Sequence, residues 1–88
     1  MSFKILFMGT PDFAVPILKS IYQSSHKILE VYTQPPKKKN RGQKISCSPV
    51  HEYSNEFDIP VRYPPTLESE EEFEHIKKLK ADIAVVVA

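Results

Sequence analysis

The chain has 88 residues, a length that suits one small domain and leaves no room for a second. Its hydrophobic content of 41% and charged content of 26% are typical of a soluble globular protein, and its net charge is +1. The single cysteine, Cys47, excludes an internal disulfide, a cysteine-based zinc cluster and a redox pair of cysteines.

The sequence also indicates where the protein works. Its apolar runs are much shorter than the ~20 residues of a membrane span. The N-terminus lacks the features of a signal peptide or a transit peptide. We therefore expect a cytoplasmic protein with no membrane partner.

The first elements are predicted from an apolar run and the turn that follows it. Residues 3–8 are almost continuously apolar, which is typical of a strand covered on both faces. Residues 9–12 supply turn and cap residues, and Pro16 is tolerated only in the first turn of a helix. The helix should therefore begin near Asp12 or Phe13. The apolar face expected to lie on the sheet consists of Phe13, Ala14, Ile17, Leu18, Ile21 and Tyr22.

A second strand and a long loop come next. Residues 28–33 predict a strand that completes a right-handed strand–helix–strand unit. From Gln34 to Ser48 the sequence has no regular period, although such a loop usually takes ~2–6 residues. We expect this loop to be either functional or disordered. Ser48 and Pro49 then predict the start of a second helix, as N-cap and first helical residue.

The last third of the chain predicts a strand, a helix and another strand. Residues 59–63 form a short third strand near a sheet edge, because prolines flank it. Ser69 and Glu72 form a capping box at the start of a third helix. Residues 83–88 are typical of a further central strand. The core stripe of the third helix is expected to comprise Phe73, Ile76 and Leu79.

These elements predict an α/β fold, an incomplete Rossmann-like, doubly wound parallel sheet with element order β-α-β-α-β-α-β. In the expected strand order 3-2-1-4, a crevice opens beyond the carboxyl ends of the first and fourth strands. Since the second wall of this crevice would follow Ala88, we expect residues 1–88 to be the N-terminal portion of a larger domain. The border of the crevice would comprise Gly9, Thr10, Pro11, Asp12, Phe13, Val87 and Ala88.

The turn after the first strand does not match a dinucleotide site. Such a site needs several glycines and an acidic residue after the second strand. Only Gly9 is present, Pro11 removes an amide donor, and Thr33 and Gln34 occupy the position of the acid. A nicotinamide cofactor is therefore not expected.

The long loop concentrates positive charge. No Asp or Glu occurs between Glu30 and Glu52. Clustered cations suit a phosphate backbone, and Gly42 would let the chain bend around a partner. A solvated basic loop without a partner is the alternative. The cations are Lys37, Lys38, Lys39, Arg41 and Lys44.

The remaining polar residues predict no further site. The three histidines lie on separate elements without a shared metal spacing, so no metal site is expected. His51 and His75 should lie on the surface. Cys47 has no identifiable base beside it, and no catalytic residue can be assigned.

Several strings together resemble the N-terminal part of the bacterial-type methionyl-tRNA formyltransferases. The combination of Gly9-Thr10-Pro11-Asp12-Phe13 with the basic Arg41-Gly42 loop is specific to that family. Lys38-Lys39-Asn40, Gln43 and Cys47 depart from its usual pattern. The resembling strings are residues 5–16, 31–36, Arg41-Gly42 with Lys44, 48–50 and 85–88.

The resemblance implies transfer of a formyl group from 10-formyltetrahydrofolate to the amino group of initiator methionyl-tRNA. It implies that Arg41 contacts the tRNA acceptor end, that the four lysines of the loop contact phosphates, and that the complete enzyme is a monomer. The catalytic asparagine, histidine and aspartate of the family would lie beyond Ala88, so residues 1–88 alone should be inactive.

Two other interpretations remain open. One keeps the fold and changes the acceptor, as in sugar formyltransferases or the hydrolase domain of formyltetrahydrofolate dehydrogenase. The other is a non-catalytic RNA-binding remnant.

Overall fold

Four parallel strands form the central sheet of the computed structural model, which describes residues 2–39 and 44–87. In chain order the elements are β1 (Lys4–Gly9), α1 (Ala14–Tyr22), β2 (Lys27–Tyr32), β3 (Lys37–Lys39), β4 (Lys44–Ser46), α2 (Pro49–Glu56), β5 (Val61–Arg62), α3 (Glu70–Leu79) and β6 (Ile83–Val87). The sheet has the order β5-β2-β1-β6, and all of its pairs are parallel. This confirms the predicted Rossmann-like arrangement. Counted along the chain, β1, β2, β5 and β6 are the first to fourth strands of this sheet, so the predicted strand order 3-2-1-4 is also confirmed.

The register brings the carboxyl ends of the strands to one edge of the sheet. Met8 pairs with Tyr32, Gly9 pairs with Val87, and Tyr32 also pairs with Arg62. The loops that follow β1, β2 and β5 therefore start close together. This edge is the one at which a parallel sheet of this kind binds its ligands.

The two faces of the sheet have different partners because strand side chains alternate. Phe7 and Val31 pack in the apolar core with Leu18 of α1 and Val50 of α2. On the other face, the Tyr32 hydroxyl donates a hydrogen bond to Glu72 of α3. The core thus fixes α1 and α2 to one face, whereas polar contacts connect α3 to the other.

The amphipathic faces of two helices are only partly as predicted. In α1, Ala14 and Leu18 are fully buried, but Phe13, Ile17 and Tyr22 are exposed. In α3 the expected core residue Phe73 is 63% exposed, and the buried residue is its neighbour Glu72. The prediction for Phe73 is wrong because α3 turns its Glu72 side, rather than its Phe73 side, toward β2 and β5.

Both serine caps are confirmed. Ser48 Oγ accepts a hydrogen bond from the His51 backbone N–H at 3.1 Å, with Pro49 as the first residue of α2. Ser69 Oγ accepts from the Glu72 N–H at 3.2 Å. The predicted capping box also needs a hydrogen bond from the Ser69 N–H to the Glu72 carboxylate. This bond is absent, since the carboxylate binds Arg62 and Tyr32 instead.

The remaining strands also differ in detail from expectation. The loop predicted to be irregular contains an antiparallel pair, in which Lys37 faces Ser46 and Lys39 faces Lys44. β5 is short and lies at a sheet edge, as predicted. β6 is not central in the part of the chain described, because it is the other outer strand of the sheet.

Candidate functional site

A cavity of about 590 Å³ lies at the carboxyl ends of the strands, the edge at which the crevice is predicted. This volume lies within the range of small-molecule sites. One wall comes from the end of β1 and its turn, a second from the end of β2, and a third from the loop between β5 and α3. The lining residues are Met8, Gly9, Thr10, Pro11, Tyr32, Thr33, Gln34, Pro35, Pro64, Pro65, Thr66, Leu67, Val86 and Val87.

A second cavity of about 470 Å³ adjoins the first. The two share Thr10, Pro11, Gln34 and Pro35 in their linings. The second cavity continues past Asp12 to Lys37 of β3 and to the start of α2. A ligand in the crevice could therefore extend toward the base of the lysine-containing strands.

The structure brings together most of the predicted crevice border. Gly9, Thr10, Pro11 and Val87 line the larger cavity, and Asp12 lines the smaller one. Phe13 lines neither and is largely exposed at the start of α1. Ala88 lies outside the described residues.

A row of hydroxyl groups joins the loops at this edge. Thr33 Oγ1 lies 3.3 Å from Thr10 Oγ1 and 2.7 Å from Ser48 Oγ. Thr10 Oγ1 also accepts a hydrogen bond from the Gln34 N–H at 3.2 Å. Because Ser48 caps α2, this row links the β1 turn, the end of β2 and the start of α2. No sequence motif predicts this row, since the three hydroxyls are far apart along the chain.

We call the antiparallel pair β3 and β4, with residues 37–39 and 44–46, the basic ribbon. It leaves the site edge after Pro36 and returns to it at Cys47, directly before the Ser48 cap. Lys37 is exposed and lines the smaller cavity. Only the backbone is described for Lys38, Lys39 and Lys44, and Arg41 and Gly42 lie outside the described residues. The ribbon thus places Lys37 beside the smaller cavity.

A second polar group lies on the α3 side of the sheet. Arg62 of β5 donates two hydrogen bonds to Glu72, from Nε to Oε1 at 2.9 Å and from a terminal nitrogen to Oε2 at 2.5 Å. The Tyr32 hydroxyl donates to Oε1 at 3.0 Å. We call these three residues the Arg62 cluster. The sequence does not predict this cluster, because Arg62 and Glu72 lie on different elements and no spacing pattern along the chain connects them.

The contacts of the Arg62 cluster shift the titration of its members. The hydrogen bond from Arg62 lowers the pKa of the Glu72 carboxyl. The hydrogen bond to Glu72 raises the pKa of the Arg62 guanidinium. Burial raises the pKa of the Tyr32 hydroxyl, and its hydrogen bond to Glu72 adds to the effect. The ion pair and the neutral phenol are thus the stable forms at neutral pH.

The histidines do not behave as surface residues. His51 is 7% exposed, with its ring 5.0 Å from that of Tyr63, and its Nδ1 has no hydrogen-bond partner among the described residues. His75 is half-buried, and its Nε2 contacts the Glu30 carboxylate. The prediction of two solvated histidines is therefore wrong, because aromatic and carboxylate partners from other elements cover them.

Two kinds of feature are absent from the residues that the structure describes. Residues 2–39 and 44–87 contain no group of three or more His, Cys, Asp or Glu side chains that could hold a metal ion. Within the same ranges, no helix has both the length and the apolar composition needed to cross a membrane.

The chain is similar over its whole length to several curated proteins. It is 53% identical to the methionyl-tRNA formyltransferase of Pelagibacter ubique, of which it covers 29%. It is 49% identical to that of Rickettsia bellii, over 97% of this chain and 28% of the relative. It is 50% identical to that of Coxiella burnetii, over 100% of this chain and 28% of the relative. No family model matches the chain.

The chain thus spans less than a third of the length of these relatives, and the part that it matches is N-terminal. The identities confirm the resemblance to the N-terminal part of methionyl-tRNA formyltransferases that the sequence motifs indicated.

Proposed function

We propose that residues 1–88 are the N-terminal part of a cytoplasmic enzyme that transfers a formyl group from 10-formyltetrahydrofolate to the amino group of initiator methionyl-tRNA. The observation that carries the proposal is the basic ribbon, held at the rim of a cavity formed by the ends of parallel strands. A small acceptor fits a cavity alone, whereas a tRNA needs contacts outside it. The ribbon therefore disfavours a sugar formyltransferase or a formyltetrahydrofolate hydrolase.

The ribbon would bind the acceptor arm of the tRNA. Lys37 at its base, with Lys38, Lys39 and Lys44, neutralises phosphates, and the released counterions favour binding at low salt. Arg41 contacts the acceptor end, and Gly42 allows the close approach. The hydroxyl row of Thr10, Thr33 and Ser48 fixes the base of the ribbon relative to the cavity. The bound acceptor end would then reach the crevice border.

The folate donor fits this part of the enzyme only in part. The polar lining of the larger cavity consists of threonines, Gln34 and Tyr32, and no charged side chain is among the described lining residues. A folate carries an anionic glutamate tail, which such a lining does not neutralise. Most of the folate site would therefore lie in the part of the enzyme that this chain does not cover.

The chemistry is an acyl transfer. The methionyl amine attacks the formyl carbon and gives a tetrahedral oxyanion, which must be stabilised. When this intermediate collapses, the bond between the formyl carbon and N10 of the folate breaks, tetrahydrofolate leaves, and the proton lost by the amine is transferred to N10. We assign none of these tasks to the described residues, which position the substrate. The isolated chain should accordingly show no formylation of initiator methionyl-tRNA, and measurable formylation by it would contradict this assignment.

The proposal is tested with a chimera in which this chain replaces the matching residues of the Coxiella burnetii relative. The chimera should formylate initiator methionyl-tRNA, with a KM for tRNA that rises steeply with salt. Lys37→Ala should raise this KM and reduce the slope of log KM against log salt by up to about 1, the value for one phosphate contact. The KM for the formyl donor should not change.

Lys19→Ala is the matched control, because Lys19 is an exposed lysine on α1 that lines neither cavity at the site edge. It should leave both KM values unchanged. A chimera without activity, or a salt slope that Lys37→Ala and Lys19→Ala change equally, would contradict the proposed role.

A further inference from the structure

The Arg62 cluster flanks one wall of the larger cavity. Arg62 is the last residue of β5, and Glu72 lies in the first turn of α3. The segment between them contains Pro64, Pro65, Thr66 and Leu67, which line the cavity. We call residues 64–67 the proline wall. The ion pair therefore joins the two ends of the chain segment that forms this wall.

The cluster holds the wall in place because the Glu72 carboxylate is buried and both of its oxygens are hydrogen-bonded within the cluster. Glu72 is 4% exposed, and each of its carboxylate oxygens accepts at least one hydrogen bond. The third member, Tyr32, is itself a lining residue at the end of β2. Two charge-assisted hydrogen bonds in a bidentate pair also set the orientation of the groups they join. The position of the proline wall relative to β2 thus depends on Glu72.

The lining of the cavity favours an uncharged, mainly apolar ligand group. The proline wall presents two prolines and Leu67, and Val86 and Val87 of β6 line the same cavity. The Tyr32 hydroxyl is bonded to Glu72. If the proposed function holds, the acceptor brings a flexible thioether side chain that suits apolar surfaces, and the donor brings a polar ring system with an anionic tail. Only the first matches this lining.

We propose that the Arg62 cluster positions the proline wall to receive the methionyl side chain of the acceptor, and that the cluster thereby determines amino-acid specificity. This inference depends on the proposed function. Arg62 and Glu72 are positioning residues, since they act through the wall. The basic ribbon binds any acylated tRNA, whereas the wall distinguishes what the tRNA carries.

The test compares two forms of the same tRNA in the chimera, one charged with methionine and one with alanine. The alanyl side chain is too short to contact the proline wall. The kcat/KM for alanyl-tRNA therefore measures the reaction without the contribution of the wall. Glu72→Gln should lower kcat/KM for methionyl-tRNA about 10-fold, within the range by which apolar pockets discriminate side chains. It should leave kcat/KM for alanyl-tRNA and the KM for the formyl donor unchanged.

Three further variants separate positioning from folding. Glu71→Gln is the matched control, because Glu71 is the exposed neighbour of Glu72 on α3 and should have no effect. Arg62→Lys retains the charge and should restore part of the discrimination that Arg62→Ala removes. Tyr32→Phe deletes one hydrogen bond and should reduce discrimination by a smaller factor, even if Glu72→Gln prevents folding.

The outcomes distinguish the two proposals. Equal losses for the methionyl and alanyl substrates would overturn the role in specificity, and so would a change confined to the KM for the donor. An unmodified chimera that formylates neither substrate would count against the proposed function itself.

Discussion

Replacing Ser48 with alanine removes two contacts at the site edge. Ser48 Oγ caps α2 by accepting from the His51 N–H, and it lies 2.7 Å from the hydroxyl of Thr33, which is 8% exposed. Loss of an N-cap costs about 1 kcal/mol. Loss of the hydrogen bond to a buried hydroxyl costs about 1 kcal/mol more. The free energy of unfolding should therefore fall by about 2 kcal/mol.

Ser69→Ala is the internal control for this prediction. Its Oγ caps α3 through the Glu72 N–H at 3.2 Å and, among residues 2–39 and 44–87, bonds no second side chain. Its removal should cost about 1 kcal/mol. In a domain of this size, 1 kcal/mol corresponds to a change in Tm of roughly 4–8 °C.

Equilibrium unfolding in urea, followed by circular dichroism on the 88-residue chain, measures both variants. Equal losses for Ser48→Ala and Ser69→Ala would refute the contribution of the Thr33 contact. In the chimera, Ser48→Ala should also raise the KM for tRNA, because the base of the basic ribbon loses one of its attachments.

Two other predictions concern stability. Because the Arg62 contact lowers the pKa of Glu72 in the folded state, the charged carboxyl stabilises the fold above its ordinary pKa of 4.5, and this contribution is lost as the pH falls further. Urea midpoints of wild type and Glu72→Gln should therefore converge below pH 4.5, and parallel curves would contradict the pairing. Gly9→Ala would place a Cβ 3.1 Å from both Ala14 Cβ and Phe7 Cε1, which are fully buried. We expect a loss of about 1–2 kcal/mol by overpacking, and an unchanged urea midpoint would show that these neighbours can move.

The strands of the sheet were predictable because their signals are local. The apolar run before Gly9 and the β-branched run before Ala88 each indicate a strand, although only the first lies between two neighbours among the described residues. Their order followed from the commonest arrangement of doubly wound sheets and not from any residue. Ser48 and Ser69 marked helix starts correctly, since a cap acts within its own first turn.

The elements that were mispredicted depend on distant partners. The basic ribbon has no apolar alternation, so its lysines read as an irregular loop, although cross-strand backbone pairing orders it. His51 of α2 is buried, and its ring contacts that of Tyr63, which follows β5. Phe73 is exposed because Glu72 faces Arg62 and Tyr32. The spacing of apolar residues along one helix cannot predict contacts with side chains on other elements.

The outer position of β6 predicts that the chain associates in solution. Among the described residues β6 pairs only with β1, and Val86 on it is 65% exposed. A strand edge with apolar, β-branched side chains is a template for intermolecular strand addition. Two copies of the chain could extend each other's sheets through this edge. Dilution or a soluble peptide that occupies the edge should keep them apart.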